Sequence, residues 1–314
     1  MLKPLISFLV VVSRHGRIGL ALGLVAGLLL PGIANAMKPF LPALVMALLF
    51  LVALRIGPQR ARQGLSNWQS TVGLVLILQL ACPLAVIAAA LGIGIGSSPY
   101  VLAIVLVLAA PSVSGSPNFA TILGADPEPA FRLLVVGTTL LPITMIPVLW
   151  LLPQFNDLSS VVVPALRTLL AIAFAMGLGF VVRYTSLPSA TDTDTRAMDG
   201  AMTIALAVIV VALMAALRPA IATSAATVAG WLALACVVNI GMQIACYWLG
   251  KEALPSRDRV PMSIVAGNRN FAIFLVALSP TAAEPLLIFL GCYQVPMYLT
   301  PMLMSRLYQP RPIT

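Results

Sequence analysis

Two short polar tracts carry the chemistry that this chain can offer. The first is Pro111-Ser112-Val113-Ser114-Gly115-Ser116-Pro117-Asn118, and the second is Gly267-Asn268-Arg269-Asn270. Each lies near the middle of a long apolar stretch. Proline removes a backbone donor and collides with the preceding helical turn, while Gly and Ser tolerate irregular backbone, so a continuous helix is not expected through either tract. A helix broken in this way presents N–H groups, C=O groups, hydroxyls and amides that can hold a solute without any covalent step. Arg269 adds a charge that does not titrate. Placing it inside an apolar stretch costs at least about 3 kcal/mol on insertion scales, so its presence there points to a role. The candidate solute-binding residues are therefore Ser112, Ser114, Ser116, Asn118, Asn268, Arg269 and Asn270. Gln79 and Gln243, also inside apolar runs, are candidates for ion binding or for supporting the site.

Other chemistry is poorly supplied. The single histidine, His15, sits in a basic flank, and the nine acids all fall between apolar runs or at their ends. Cys82, Cys236, Cys246 and Cys292 lie within apolar runs, with no CxxC spacing and no His-rich neighbourhood. Neither a nucleophile with its base nor a set of metal ligands can be assembled, so no catalytic residue, no metal and no enzyme are expected. A net charge of +9 raises nucleic acid as a partner. The basic residues are scattered between apolar stretches and form no single hydrated face, so that partner is not expected.

The elements that must position these tracts are plain from composition. The 314 residues are 61% hydrophobic and 9% charged, with a mean hydropathy of +1.05. Soluble domains are about 25% charged, and a water-soluble fold could not hide this much apolar side chain. Ten apolar runs stand out, at 18–30, 40–54, 68–91, 100–123, 130–152, 161–182, 198–217, 221–249, 260–278 and 282–304. Spanning a bilayer takes about 20 such residues, so the expected fold is an all-α integral membrane protein of ten transmembrane helices. The stretch Leu5–Val12 is too short to span and reads as an interfacial lead-in. Residues 183–199 read as a solvated loop.

Charge orients the ten spans. With the N-terminus inside, fourteen of the eighteen basic residues, from Lys3 to Arg311, fall on the cytoplasmic side. Lys38, Arg167 and Arg218 fall on the other, and Arg269 stays within a span. Cytoplasmic loops retain Lys and Arg, so both termini are expected in the cytoplasm, with the chain in a bacterial inner (cell) membrane and lipid as its surroundings.

The halves also repeat. Gln79-Leu80-Ala81-Cys82 matches Gln243-Ile244-Ala245-Cys246, Asn118-Phe119-Ala120 matches Asn270-Phe271-Ala272, and Pro142 and Pro147 match Pro296 and Pro301, at offsets of 164, 152 and 154. Each match pairs one span with the fifth span after it. An odd number of spans per half inverts the second half relative to the first, which is a common transporter plan. The expected units are residues 1–152 and 153–314, two inverted five-helix repeats with spans four and nine broken.

The Gln79-containing third span, the Pro-to-Asn118 tract, the Gly-x-x-Asn of Gly267 to Asn270 and the proline-rich fifth span together resemble the bile acid:sodium symporter family. That resemblance implies a core domain of spans 3–5 and 8–10, in which broken helices four and nine cross, interleaved with a panel domain of spans 1, 2, 6 and 7. It implies transport of small organic anions, bile-acid-like or other carboxylates, commonly with sodium. The departures bear on the ion. Where sodium-coupled members have Glu-x-Gly-x-Gln-Asn, this chain has Val265 and Arg269 at the Glu and Gln positions, and Pro117 stands where the family has Ser before its Asn.

The residues reach the same point unaided. Sodium wants oxygen ligands, and a buried carboxylate helps to offset its dehydration. No acid lies mid-span, so sodium coupling is not expected, no cofactor is indicated, and Arg269 is read as a fixed replacement for the ion. A proton relay lacks titrating groups for the same reason. Two other readings stand beside the anion symporter. One is a sodium-independent uniporter or exporter resembling auxin-efflux-type carriers. The other is a non-transporting membrane sensor, which would normally add a signalling domain.

Overall fold

The computed structural model describes residues 2–63, 68–155, 157–278, 283 and 286–308. Glu284, Arg311 and the start of the tenth apolar run lie outside the described residues. The apolar runs become helices: α1 (Leu2–Arg14), α2 (Gly16–Leu29), α3 (Pro31–Met37), α4 (Leu41–Gln63), α5 (Trp68–Leu76), α6 (Cys82–Gly92), α7 (Pro99–Ala109), α8 (Ser116–Ile122), α9 (Glu128–Trp150), α10 (Leu158–Ser186), α11 (Asp192–Thr223), α12 (Ala225–Ala253), α13 (Ser256–Gly267), α14 (Phe274–Ala277), α15 (Leu287–Leu303) and α16 (Ser305–Tyr308). A π turn, Ile77–Ala81, joins α5 to α6.

Among the described residues, six helical stretches are long and apolar enough to cross a membrane: Pro31–Gln59, Gln69–Gly92, Glu128–Trp150, Leu158–Ser186, Asp192–Thr223 and Ala225–Ala253. This is an all-α integral membrane protein. The sides of these helices that face outward are apolar too. Leu170, Phe174 and Val181 on α10 and Val237, Trp248 and Leu249 on α12 are exposed. Such surfaces suit lipid, where the backbone must be satisfied within the helix and side chains need no water.

Local sequence explains where the helices begin. Ser98 accepts from the Tyr100 N–H ahead of α7, with Pro99 at its first position. Thr191 and Asp194 bond reciprocally at the start of α11, and Ser224 accepts from the Thr227 N–H at the start of α12. Each satisfies an N–H that a helix terminus leaves without a partner.

Two boundaries differ from the sequence reading. The run 18–30 forms α2, whose 14 residues reach only about 21 Å against a hydrocarbon core of about 30 Å. The backbone leaves the helix at Leu30 (φ −115°, ψ 68°), because Pro31 restricts the residue before it. The helix then resumes at Pro31 and passes through a 3-10 turn, Lys38–Phe40, into α4. The supposed loop 183–199 is mostly helix, with only residues 187–191 between α10 and α11. The capping pair at Thr191 allows polar residues to start α11 well before its apolar run.

The helices pack as two groups. In one, α1, α2, α3 and α4 lie against α11, and α4 also lies along α10. Gly179 makes the α4–α10 approach close, since a Cβ there would sit 2.6 Å from the Phe50 carbonyl oxygen. Small residues at such crossings are how helices associate where lipid supplies no hydrophobic drive. In the other group, α12 packs on α13 and α15, and α9 packs on α5, α8 and α13. The two groups meet where α10 touches α9 and α14 and where α11 touches α15.

Candidate functional site: the paired helix breaks

Both polar tracts interrupt helices, and the interruptions pair with each other. Helix α7 ends at Ala109 and α8 begins at Ser116; α13 ends at Gly267 and helical backbone resumes at Phe271. Between them Ser112 and Arg269 form an isolated antiparallel bridge. The Val113 N–H donates to the Asn268 carbonyl at 2.9 Å, and the Asn270 N–H donates to the Pro111 carbonyl at 2.7 Å. Backbone groups freed by the breaks are thus satisfied by each other, as buried N–H and C=O groups must be.

Arg269 lies within this joint and is 2% exposed. Its Nε donates to the Ala266 carbonyl at 3.0 Å and its Nη1 to the Ala110 carbonyl at 3.1 Å. Ala266 is in the last turn of α13 and Ala110 caps the end of α7. One guanidinium therefore closes two helix C-termini, where carbonyls lack partners and the dipole is negative. Among the described residues, the titratable side chains around it are Tyr293, Cys82 and Cys246, with no carboxylate among them. Its Nη2 has no hydrogen-bond partner among the described residues.

The remaining candidates divide by surroundings. Asn268 is fully buried, its amide donating to the Ile264 carbonyl at 2.8 Å and its Oδ1 accepting from Thr300 at 2.9 Å. Gln243 is equally buried. It donates to Asn239 Oδ1 at 2.8 Å and to Thr300 Oγ1 at 3.1 Å, and it accepts from the Tyr308 hydroxyl at 3.1 Å. Asn239 and Tyr293 both donate to the Gly267 carbonyl. These side chains form one network that braces the end of α13 from α12, α15 and α16, and none of them reaches open space. Gly267 is required within it, because a Cβ there would lie 2.1 Å from the Asn239 carbonyl oxygen.

Gln79, the sequence counterpart of Gln243, occupies the π turn and packs against Gly137 of α9. It is buried, and its Oε1 has no partner among the described residues. Ser112 donates to the Val113 carbonyl at 3.2 Å, whereas the buried hydroxyls of Ser114 and Ser116 have no partner among the described residues. Asn270 is half-buried at the joint.

Asn118 opens onto a cavity. It is exposed on α8 and lines a pocket of about 260 Å³ with Arg55, Pro117, Thr121, Pro127, Glu128 and Phe131. Arg55 comes from α4 and the others from α8, α9 and the turn between them, so the pocket lies where the two helix groups face each other. Arg55 Nε donates to Asp199 Oδ1 of α11 at 2.8 Å. Sequence reasoning placed Arg55 among the cytoplasmic basic residues and missed its place in the pocket. Its partner is 144 positions away, so no local pattern could have shown it.

No protein-family model matches the chain, and no curated protein matches it.

Proposed function

We propose that this chain is a secondary transporter, of the bile acid:sodium symporter plan, that moves a small organic anion recognised through its carboxylate and does so without sodium. The observation that carries this reading is the pairing of two broken helices beside a pocket shared by two helix groups. Such breaks supply polar groups in mid-membrane, and relative movement of the groups would open the site to one side and then the other.

The finer architecture belongs to the same proposal: ten spans in two inverted repeats, with both termini cytoplasmic in a cell membrane. The antiparallel sense of the Ser112–Arg269 bridge supports it, because halves of opposite orientation bring equivalent tracts together head to tail. The packing groups support it as well. Spans 1, 2, 6 and 7 correspond to α2–α4, α10 and α11, and these pack together as a panel. Spans 3–5 and 8–10 form the core.

Arg269 argues against a sodium ion. It already provides a positive charge to the two helix ends, and a metal cation there would have to displace it and find a carboxylate that the neighbourhood lacks. The same placement favours a sodium-independent carrier over a sodium symporter within the plan.

Flux into proteoliposomes tests the proposal. Labelled monocarboxylates should accumulate or equilibrate equally with and without a sodium gradient, and Asn118→Ala should slow them. A strict sodium requirement would remove the ion argument. Absence of flux for every carboxylate would remove the transporter.

A further inference from the structure

The pocket beside Asn118 is lined by Arg55 and Glu128, opposite charges that are not paired with each other, Arg55 being paired to Asp199 instead. Resting on the carrier reading above but replacing its purely anionic cargo, we propose that the solute is a zwitterion about the size of an amino acid, with its carboxylate on Arg55 and its ammonium group on Glu128.

Arg55 is held ready for a carboxylate. Its Nε is committed to Asp199 at 2.8 Å, and its side chain is only 20% exposed. That bond fixes the plane of the guanidinium and leaves the two Nη groups, whose fork matches a carboxylate in bidentate geometry. Asn118 and Thr121 are placed on the same wall. The Thr121 hydroxyl donates back to the Pro117 carbonyl at 3.1 Å, so it faces a solute as an acceptor.

Glu128 decides the class. Asp199 already offsets the charge of Arg55, so the pocket's remaining charge is the Glu128 carboxylate, exposed in the first turn of α9. A solute carrying only negative charge would meet Arg55 at one end and repulsion from Glu128 at the other. A solute carrying only positive charge would leave the Arg55 fork unmatched. A zwitterion satisfies both, and like-charge exclusion is how such sites reject near analogues. Size agrees, since about 260 Å³ falls below the roughly 300–1,000 Å³ of pockets for drug-sized ligands. The Phe131 ring offers an apolar wall for a short carbon chain.

Calorimetry on the purified full chain in lipid nanodiscs, using the ω-amino acids from glycine to 6-aminohexanoate with the N-acetyl acid and methyl ester of each, tests this. At least one parent compound should bind about tenfold tighter than its N-acetyl acid and its ester. Arg55→Gln should abolish binding of the parent, and Glu128→Gln should bring the N-acetyl acid level with it. Equal binding of parent and N-acetyl acid by the unaltered chain, or no binding by any member of the series, overturns the zwitterion. Asn118-dependent liposome flux of the N-acetyl acids separates the two ideas. If it occurs without discrimination, the carrier stands and the zwitterion falls. If no carboxylate is carried at all, the carrier reading falls with it.

Discussion

Arg269 Nη1 donates to the carbonyl oxygen of Ala110, a residue 159 positions earlier in the chain, and so closes α7 with a side chain from the break that follows α13. The same guanidinium closes α13 through the Ala266 carbonyl. It does at two helix ends what a bound cation would do, and it is covalently attached.

Replacing that cation should make the protein responsive to a free one. In Arg269→Gln the Ala110 and Ala266 carbonyls lose their donors, at about 1–3 kcal/mol each, offset in part because no charge need be buried. The expected outcome is a lower melting temperature in detergent that rises when potassium is exchanged for sodium, while the unaltered chain is indifferent to the exchange. If both respond alike, Arg269 is not standing in for an ion.

The bridge amides should be among the slowest to exchange. Val113 and Asn270 donate across the two breaks at 2.9 and 2.7 Å, and Ser112, Val113, Asn268 and Arg269 are buried. Hydrogen exchange followed by mass spectrometry should show protection over 111–114 and 268–271 comparable to that of α9. Val113→Pro, which deletes one donor and leaves the Asn268 carbonyl unmatched, should raise exchange in both segments together. A rise confined to the mutated segment would mean that the tracts do not hold each other.

Tyr308 should stabilise through its hydroxyl and not only through its ring. The hydroxyl is the donor to Gln243 Oε1, and the ring lies 5.5 Å from that of Tyr247. Tyr308→Phe keeps the packing and orphans a buried acceptor, which costs about 1–3 kcal/mol. Paired with Gln243→Leu, the loss should fall well short of additive, because one partner's removal already frees the other. Fully additive melting shifts would dissociate the two residues.

Gly267→Ala should prevent proper folding, since its Cβ would sit 2.1 Å from the Asn239 carbonyl oxygen and 2.4 Å from Gln243 Cγ. Gly291→Ala, with its nearest neighbour the flexible Met214 Cε at 3.4 Å, should be tolerated. Monodispersity on size exclusion after extraction compares the two directly.

The helix breaks were legible because proline, glycine and a lone arginine are local signals. Apolar runs similarly announced the membrane helices, although their ends were not announced. The Leu30 break and the early start of α11 depend on a following proline and on a capping pair that hydropathy averages away. The sequence also drew attention to Gln79 and Gln243 as equivalent residues. Their surroundings differ because Asn239, Thr300 and Tyr308 gather around the second, while Gln79 Oε1 has no partner among the described residues. Arg55 was invisible as a pocket residue because its place depends on helices that come together only in the folded chain.

The joint between the two broken helices is made by main-chain atoms. Any residue that retains its amide hydrogen can occupy Val113 or Asn270 and still make it, and Ser112 contributes backbone alone to the pairing. Architecture and chemistry are therefore written in separate alphabets at this spot. The peptide groups of Pro111, Val113, Asn268 and Asn270 hold the two breaks together, so the joint persists when the side chains of Val113 and Asn270 change.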